Sequence, residues 1–327
     1  MRPFEKATVR LLACLLSLAL LFSLSACSAG PAAEVTVLWS GADTVSDSLL
    51  FDTLESALRS KNLSYTHQFA AADSTTQIEQ ANAAVKNGCD ALAVDAVNPT
   101  CAQLLVDLAK EHDLPIVFFG TAVDASLLED YARAAYVGTD TTSFGEVNGT
   151  LIKTAVQKKL STYDRNGDGT LSFVALGEIG DTLQYVDGNL TRVMEGSSVD
   201  VRAQILSLYA TYTDERGNTV ELLLTENDAG AAEAVTALQE NGYNNSKKNR
   251  IPLTTVITAT SPTGNATRDL IRKGSIIGAT AEDADLIGKT IATALRNILN
   301  ETEINAGVKG TVTVNGRHFT VPYITLT

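Results

Sequence analysis

The sequence predicts an α/β fold with two doubly wound parallel-sheet lobes, and two features of its hydrophobic pattern support this. Short apolar runs alternate with amphipathic segments at intervals of about 25 to 30 residues, as expected for successive βα units. Runs such as 91–94 and 115–119 are continuously apolar, which indicates strands that are covered on both faces. After Gly138-Thr139 the same α/β pattern begins again, which predicts the second lobe.

The individual elements follow from these runs and from the helix signals between them. We expect strands at 35–39, 91–95, 115–119, 136–140, 173–176, 203–206, 221–225, 254–258 and 276–278. We expect helices at 48–60, 75–87, 101–111, 229–241 and 283–300, and a further helix after Thr141-Thr142, which can cap it. The chain ends in a predicted β-hairpin around Asn315-Gly316, a dipeptide favoured in tight turns.

The N-terminus reads as an export signal. Basic residues precede an apolar run at 11–24, which is too short for a membrane span but long enough for a secretory signal. Residues 24–27 read Leu-Ser-Ala-Cys, which resembles a bacterial lipobox. We therefore expect a signal peptide at 1–26, a lipid on Cys27 and a tether at 27–33; the alternative is an ordinary signal peptide with a chance cysteine.

Charge and residue content exclude several classes of function. The net charge of −13 repels nucleic acid and anionic lipid headgroups, so no nucleic-acid partner is expected. The three histidines lack metal-ligand spacing, and no catalytic triad or phosphate-binding loop stands at a strand end, so no enzymatic activity is expected. Cys89 and Cys101 are expected to be buried free thiols rather than a disulfide.

A nine-residue stretch in the middle of the chain resembles most of an EF-hand calcium loop. Oxygen donors fall at loop positions one, three, five, seven and nine, which are Asp164, Asn166, Asp168, Thr170 and Ser172, with Gly169 at the sixth. The twelfth position is Ala175 instead of glutamate, and the segment after Leu171 reads as a strand. A closing carboxylate would therefore have to come from elsewhere in the chain; the alternative is an ordinary Asx-rich turn.

Several segments carry a resemblance to a known family. Residues 115–119, 135–140, 167–169, 227–229 and 321–323 make the chain similar to the type I periplasmic binding proteins of ABC sugar transporters, most closely to their galactose/glucose-binding members. The resemblance implies that a solute is captured between two lobes that close about three hinge strands, and that the closed form docks on a membrane permease. It also implies a monomer that acts without catalysis.

The resemblance also assigns the lobes and the missing calcium ligand. It places 34–139 and 281–312 in the N-terminal lobe, and 140–280 and 313–327 in the C-terminal lobe, with crossings near Thr139-Asp140, between Thr280 and Asp285, and near the final hairpin. The position that closes the calcium loop in the family corresponds to Glu221, six residues before Asn227. The resemblance therefore implies a bound structural Ca²⁺.

The ligand contacts implied by the resemblance are mostly altered in this chain. The family's contact positions fall at Asp43, Thr44, Gly120, Thr121, Tyr212, Asn227, Thr260 and Asp285. Only Asn227 keeps the family's residue, and the family's arginine and lysine are replaced. Because these side chains supply charge-assisted hydrogen bonds to a hexose, hexose binding through the family's contacts is not expected. We expect a small polar, carbohydrate-like solute; the alternative is a lipoprotein that senses a non-hexose ligand and signals to a receptor or kinase.

Overall fold

Strands form two separate sheets in the computed structural model, which describes residues 32–211, 219–245 and 250–327. The predicted signal peptide, the lipid site Cys27 and the predicted ligand residue Tyr212 lie outside these described residues. The strands are β1 (Ala33–Trp39), β2 (Leu63–Phe69), β3 (Ala91–Asp95), β4 (Ile116–Phe119), β5 (Ala134–Thr139), β6 (Leu171–Leu176), β7 (Leu190–Gly196), β8 (Leu222–Thr225), β9 (Leu253–Ile257), β10 (Gly278–Glu282), β11 (Thr313–Asn315), β12 (His318–Val321) and β13 (Tyr323–Leu326).

Helices connect most of the strands and cover the sheets. They are α1 (Leu49–Ser60), α2 (Ser74–Lys86), α3 (Pro99–Glu111), α4 (Ala125–Glu129), α5 (Phe144–Ala155), α6 (Leu160–Tyr163), α7 (Val201–Thr211), α8 (Asp228–Glu240), α9 (Gly264–Arg272) and α10 (Ala284–Leu299). Many begin at a capping side chain: Ser48, Asp73, Asn98, Asn227 and Asp283 each accept a hydrogen bond from a first-turn N–H. The described helices include none long and apolar enough to cross a membrane.

The N-terminal lobe is built on a seven-stranded sheet in the order β11-β12-β5-β4-β3-β1-β2. β1, β3, β4, β5 and β12 are parallel neighbours, so their carboxyl ends meet at one edge. On one face α10 packs closely on α1: a Cβ added at Gly288 would lie 3.0 Å from the backbone nitrogen of Leu54. A side chain at position 288 would therefore force the two helices apart.

Aromatic rings and an imidazole cluster around Trp39, the last residue of β1. Trp39 is fully buried, and its indole Nε1 donates to Nδ1 of His67 at 3.0 Å. His67 Nε2 lies 3.3 Å from a carboxylate oxygen of Glu55. Burial lowers the pKa of His67, while the nearby Glu55 opposes that shift. Since Nδ1 accepts from Trp39, the structure favours the neutral imidazole.

The C-terminal lobe is built on a six-stranded sheet in the order β13-β10-β9-β8-β6-β7. Its strands are parallel except for β13, which runs antiparallel to β10. A buried amide on α5 joins the turn after β6 to strand β10: Asn148 donates to Thr182 at 3.0 Å and accepts from Thr280 at 3.1 Å. All three side chains are buried; the hydroxyl of Thr182 also donates to the carbonyl of Ile179, whereas Thr280 has its bond to Asn148.

The chain passes between the lobes three times, as the fold prediction requires. The crossings lie at Asp140 after β5, at Asp283 after β10 and at Pro322 between β12 and β13. The predicted boundary at 312 is therefore wrong, because β11 and β12 pair within the first sheet and only β13 joins the second. Similarly, residues 281–282 belong to β10 of the second sheet.

Some predicted elements need correction, and others are confirmed. The segment 203–206 is not a strand but part of α7, and the edge strands β2 and β7 were not predicted. The predicted hairpin at Asn315-Gly316 is confirmed as the β11–β12 turn. Cys89 and Cys101 are both buried and unpaired, as expected.

Candidate functional site

The candidate ligand site is the cleft between the lobes, where the carboxyl ends of the parallel strands lie. The two lobes touch at one side of it. The backbone N–H of Leu50, in the first turn of α1, donates to the carbonyl of Ala259 in the connection after β9 at 3.0 Å. Asn265 on α9 donates to the carbonyl of Asp47 at 3.3 Å. A C-lobe carbonyl thus satisfies one of the free N–H groups at the start of an N-lobe helix.

Asp95 organises the N-lobe wall of the cleft. It ends β3, is 6% exposed, and accepts hydrogen bonds from Ser40 Oγ at 2.5 Å and from the backbone N–H of Thr121 at 3.2 Å. Burial raises the pKa of Asp95, and the hydrogen bonds from Ser40 and Thr121 oppose that shift. Gly120 has φ +65°, and a Cβ there would lie 2.4 Å from Asp95 Oδ1, so this position requires glycine.

Glu282 occupies the crossing at the end of β10. Its carboxylate accepts from the backbone N–H of Ala259 at 2.7 Å. Burial, followed by the charge of Glu282, raises the pKa of both Tyr136 and Tyr323 to about 12. Tyr136 also donates its hydroxyl to the carbonyl of Gly120 at 3.2 Å. Glu282 therefore lies close to tyrosines from both sheets.

Asn227 and Asp228 form the C-lobe wall at the start of α8. Asn227 caps the helix by accepting from the N–H of Gly230 at 2.8 Å. Asp228 is 4% exposed and accepts from the hydroxyls of Ser261 at 2.7 Å and Thr263 at 2.8 Å. Ser261 and Thr263 lie in the connection between β9 and α9, so Asp228 holds this connection in place at the edge of the cleft.

The structure places the predicted ligand residues in different settings. Gly120 and Thr121 are held at Asp95, and Asn227 lies at a strand end as expected. Asp43 and Thr44 are exposed on the 3₁₀ turn Asp43–Asp47 after β1, and Thr260 is partly exposed after β9. Asp285 is exposed and pairs with Lys289, one turn along its own helix, at 2.5 Å.

Three carboxylates in this site were not predicted as ligand residues: Asp95, Asp228 and Glu282. Asp95 carried a readable signal, because a carboxylate that ends a continuously apolar strand lies at the cleft edge of a parallel sheet. Asp228 follows the assigned Asn227 directly. Glu282 lay outside the predicted strand 276–278, since β10 begins two residues later than expected and extends to residue 282.

The Asp164 loop lies at the opposite, amino end of β6, and Glu221 reaches it. Glu221 is fully buried; Oε1 accepts from the backbone N–H groups of Arg165 at 2.6 Å and Asn166 at 3.3 Å. Oε2 accepts from the N–H of Ser172 at 2.9 Å. The carboxylate implied by the resemblance therefore lies against the loop.

Within the loop, the short side chains bind backbone amides. Asp164 accepts from Gly167 at 2.7 Å and from Gly169 at 2.9 Å, and both glycines have positive φ. Asp168 accepts from the hydroxyl and N–H of Thr170, which lower its pKa. Among the described residues, no three His, Cys, Asp or Glu side chains are grouped so that they could hold a metal ion.

The chemistry of the loop nevertheless fits a hard cation. Its donors are all oxygen: three carboxylates, an amide, a hydroxyl and a backbone carbonyl, the set that calcium prefers. Among the described residues, no lysine, arginine or histidine side chain pairs with the buried Glu221. A buried carboxylate held only by neutral N–H groups leaves its charge uncompensated.

Comparisons with known proteins give relatives over most of the chain. Residues 48–303 match the family described as periplasmic binding protein domain. The D-galactose/methyl-galactoside binding periplasmic protein MglB of Haemophilus influenzae is 26% identical over 263 residues, covering 76% of this chain and 75% of that protein.

Solved structures share the two-lobed architecture. A periplasmic solute binding protein of an ABC transporter from Actinobacillus succinogenes, with bound D-allose, has a TM-score of 0.66 and 12% identity, covering 90% of this chain and 97% of that one. A solute binding protein from Bacillus halodurans, with bound myo-inositol, has a TM-score of 0.59 and 18% identity, covering 90% and 94%. The chain therefore belongs to the periplasmic binding protein family, with the type I fold, and is an extracytoplasmic solute-binding protein rather than an enzyme.

Proposed function

We propose that this protein is a lipid-anchored solute-binding protein that captures a small carbohydrate-like ligand in the interlobe cleft and delivers it, as a monomer, to an ABC importer. The observation that carries the proposal is the polar group around Asp95 at the carboxyl edge of the first sheet, together with Asn227 and Asp228 at the carboxyl edge of the second sheet. Carboxylate and amide oxygens accept hydrogen bonds from ligand hydroxyls. The relation to a galactoside-binding protein supports a carbohydrate as the ligand class.

Capture by lobe closure follows from the connectivity. Within the described residues, only the three short crossings at Asp140, Asp283 and Pro322 join the two sheets, so small backbone rotations there open or close the cleft. The contacts Leu50–Ala259 and Asn265–Asp47 form only when the lobes approach each other. A ligand that binds both walls shifts the population toward this arrangement, and a permease that recognises it receives only loaded protein.

Small molecules that remain bound during purification provide the first test. The mature protein is purified without denaturation, and the ligand is released with acid and identified by mass spectrometry. A thermal-shift panel of sugars, polyols and nucleosides then compares the wild type with Asp95→Ala and, as a matched control, the exposed Asp107→Ala on α3. We expect a sugar or polyol to raise the melting temperature of the wild type and the control but not that of Asp95→Ala. If no carbohydrate stabilises the wild type, the proposed ligand class is wrong.

The lipid anchor is tested separately in the producing cell. We expect Cys27 to carry the lipid, so Cys27→Ala should abolish labelling with a radioactive fatty acid and release the protein from the membrane fraction. Cys101→Ala, which alters a buried thiol of the folded lobe, is the matched control and should remain labelled. Labelling that persists in Cys27→Ala would contradict the proposed anchor.

We further propose that the Asp164 loop holds a structural calcium ion through Asp164, Asn166, Asp168, Ser172 and Glu221, with the carbonyl of Thr170. The cation would compensate the charge of the buried Glu221, which no cationic side chain pairs with among the described residues. Calcium would supply rigidity to the lobe and no reaction chemistry. A chelator should lower the melting temperature and added Ca²⁺ should restore it; identical melting curves with and without chelator would refute calcium binding.

A further inference from the structure

The connections that form the cleft carry no cationic side chain of their own. After the parallel strands of the two sheets they comprise residues 40–48, 96–98, 120–124, 140–143, 177–189, 197–200, 226–227, 258–263 and 283, and none of these is Lys, Arg or His. Among the described residues, basic side chains approach these connections from neighbouring elements. Lys153 pairs with Asp187. Burial lowers the pKa of Arg268 and of His318, and the nearby Asp283 and Asp124, respectively, oppose these shifts. The connections themselves therefore contain acidic side chains and no basic ones.

Some of the acidic residues there have a structural explanation. Asp124, Asp140 and Asp283 each cap a helix or 3₁₀ turn by accepting a first-turn N–H. Asp95 and Glu282 do not cap helices; each ends a strand and faces the cleft. Their bonding partners are neutral: hydroxyl and amide groups of Ser40 and Thr121 for Asp95, and the N–H of Ala259 for Glu282.

Closure of the cleft removes water from the carboxylates of Asp95 and Glu282. This desolvation is unfavourable unless a cation binds beside them. Asp95 is already nine-tenths buried, and the burial that raises its pKa reflects the loss of water around its charge. Neutral hydroxyls and amides stabilise a buried carboxylate only partly, whereas a cation at hydrogen-bond distance compensates its charge. Each carboxylate oxygen has two lone pairs, so Asp95 can accept further donors beside Ser40 and Thr121.

We infer that the cleft selects a carbohydrate-like ligand that carries a protonated amine, with the ammonium bound by Asp95 and the field of Glu282, over the neutral parent and the corresponding acid. This inference rests on the proposed function, which supplies the carbohydrate-like frame. An ammonium group brings three donors and a positive charge to the carboxylates. A carboxylate or phosphate on the ligand meets like charge on both walls and no cationic partner in the connections.

Matched ligand triads test the charge preference by isothermal titration calorimetry at pH 7. Glucosamine, glucose and glucuronate form one triad, and the galacto- and manno-series form two more; N-acetylated amines serve as uncharged isosteres. In at least one series we expect the amine to bind about tenfold or more tightly than its neutral and N-acetylated counterparts. The acid should bind most weakly, and added salt should reduce the amine's advantage.

The outcomes separate this inference from the proposed function. If, in every series that binds, the neutral sugar or the acid binds as tightly as its amine, the charge preference is refuted while carbohydrate capture stands. If none of these sugars binds, the charge preference is rejected, whereas the proposed function is decided separately by the thermal-shift panel of sugars, polyols and nucleosides. Asp95→Asn should remove most of the amine preference, and the exposed Asp107→Asn should leave it unchanged. An Asp95→Asn variant that weakens amine and neutral sugar equally would show that Asp95 only positions Ser40 and Thr121, which overturns the inference.

Discussion

Glu221→Gln is the substitution that examines the Asp164 loop most directly. The variant keeps the shape of the side chain but replaces one acceptor oxygen by an NH₂ group that faces backbone N–H donors. In the wild type, Oε1 serves two of these donors and Oε2 serves the third. Whichever oxygen is replaced, at least one charge-assisted hydrogen bond is lost and two donors face each other in a site with no access to water.

The magnitude follows from these contacts. A hydrogen bond to a charged group contributes about 1.5–3 kcal/mol, and a buried N–H left without a partner costs about 1–3 kcal/mol. The remaining carbonyl oxygen can shift toward some of these N–H donors. We therefore expect the free energy of unfolding to fall by about 2–4 kcal/mol. For a chain of this size, each kcal/mol corresponds to about 2–4 °C, so the melting temperature should fall by roughly 4–16 °C.

Differential scanning calorimetry with excess Ca²⁺ and with chelator separates the two roles of Glu221. If the carboxylate binds calcium, the variant should melt at one temperature in both buffers, and below the chelated wild type, which keeps the hydrogen bonds of Glu221. Glu79→Gln, at an exposed position on α2, should respond to calcium like the wild type. A variant as stable as the wild type would refute the hydrogen-bond argument, and one that retains the full calcium response would refute the metal role of Glu221.

Three further substitutions test the packing and polar contacts of the lobes. Asn148→Ala should cost about 1–3 kcal/mol in urea unfolding, because it leaves the buried hydroxyl of Thr280 without its acceptor, while Thr182 keeps its bond to the carbonyl of Ile179; the exposed Asn82→Ala should cost under about 1 kcal/mol. Gly288→Ala should lower the free energy of unfolding by about 1–2 kcal/mol, because overpacking of α10 against α1 outweighs the helix propensity of alanine; an increase in stability would contradict the close approach of these helices. The lowered pKa of His67 means that its neutral form contributes fully above the unfolded pKa of about 6.5, and this contribution is lost as the pH falls toward the folded value. Unfolding followed by the single tryptophan should show stability declining below that pH, with a smaller decline in His67→Gln; an unchanged slope would contradict this role.

Much of the fold could be predicted because the central strands are buried on both faces. β3 and β4 are continuously apolar and stand out from the helices around them. The missed strands β2 and β7 are the edge strands of the two sheets, where exposed and partly buried residues interrupt the apolar run. The segment 203–206 was misread because a short apolar run within α7 has the same local pattern as a strand.

The sequence predicts that the chain crosses between the lobes near the final hairpin, but it does not show at which residue. An Asn-Gly turn identifies the hairpin, but strand pairing decides which sheet each arm joins. Pro322 marks the actual crossing: without an N–H it cannot continue the ladder, so the chain leaves β12 and enters the second sheet as β13. The contact between Glu221 and the loop is another long-range relation, since 49 residues separate Glu221 from Ser172. The family resemblance implies this contact, whereas the spacing of residues within the loop does not.

The two candidate sites lie at opposite ends of the same sheet, and this separation explains why they can change independently. The Asp164 loop and Glu221 precede β6 and β8, whereas Asn227 follows β8 and Gly177 follows β6. Six strand residues at about 3.3 Å each place the two ends about 20 Å apart. The strands between them are buried and rigid, so the loop can fix the position of the cleft wall without touching the ligand. Substitutions in the cleft connections can therefore alter ligand selection while the loop and the two-lobed frame remain as they are.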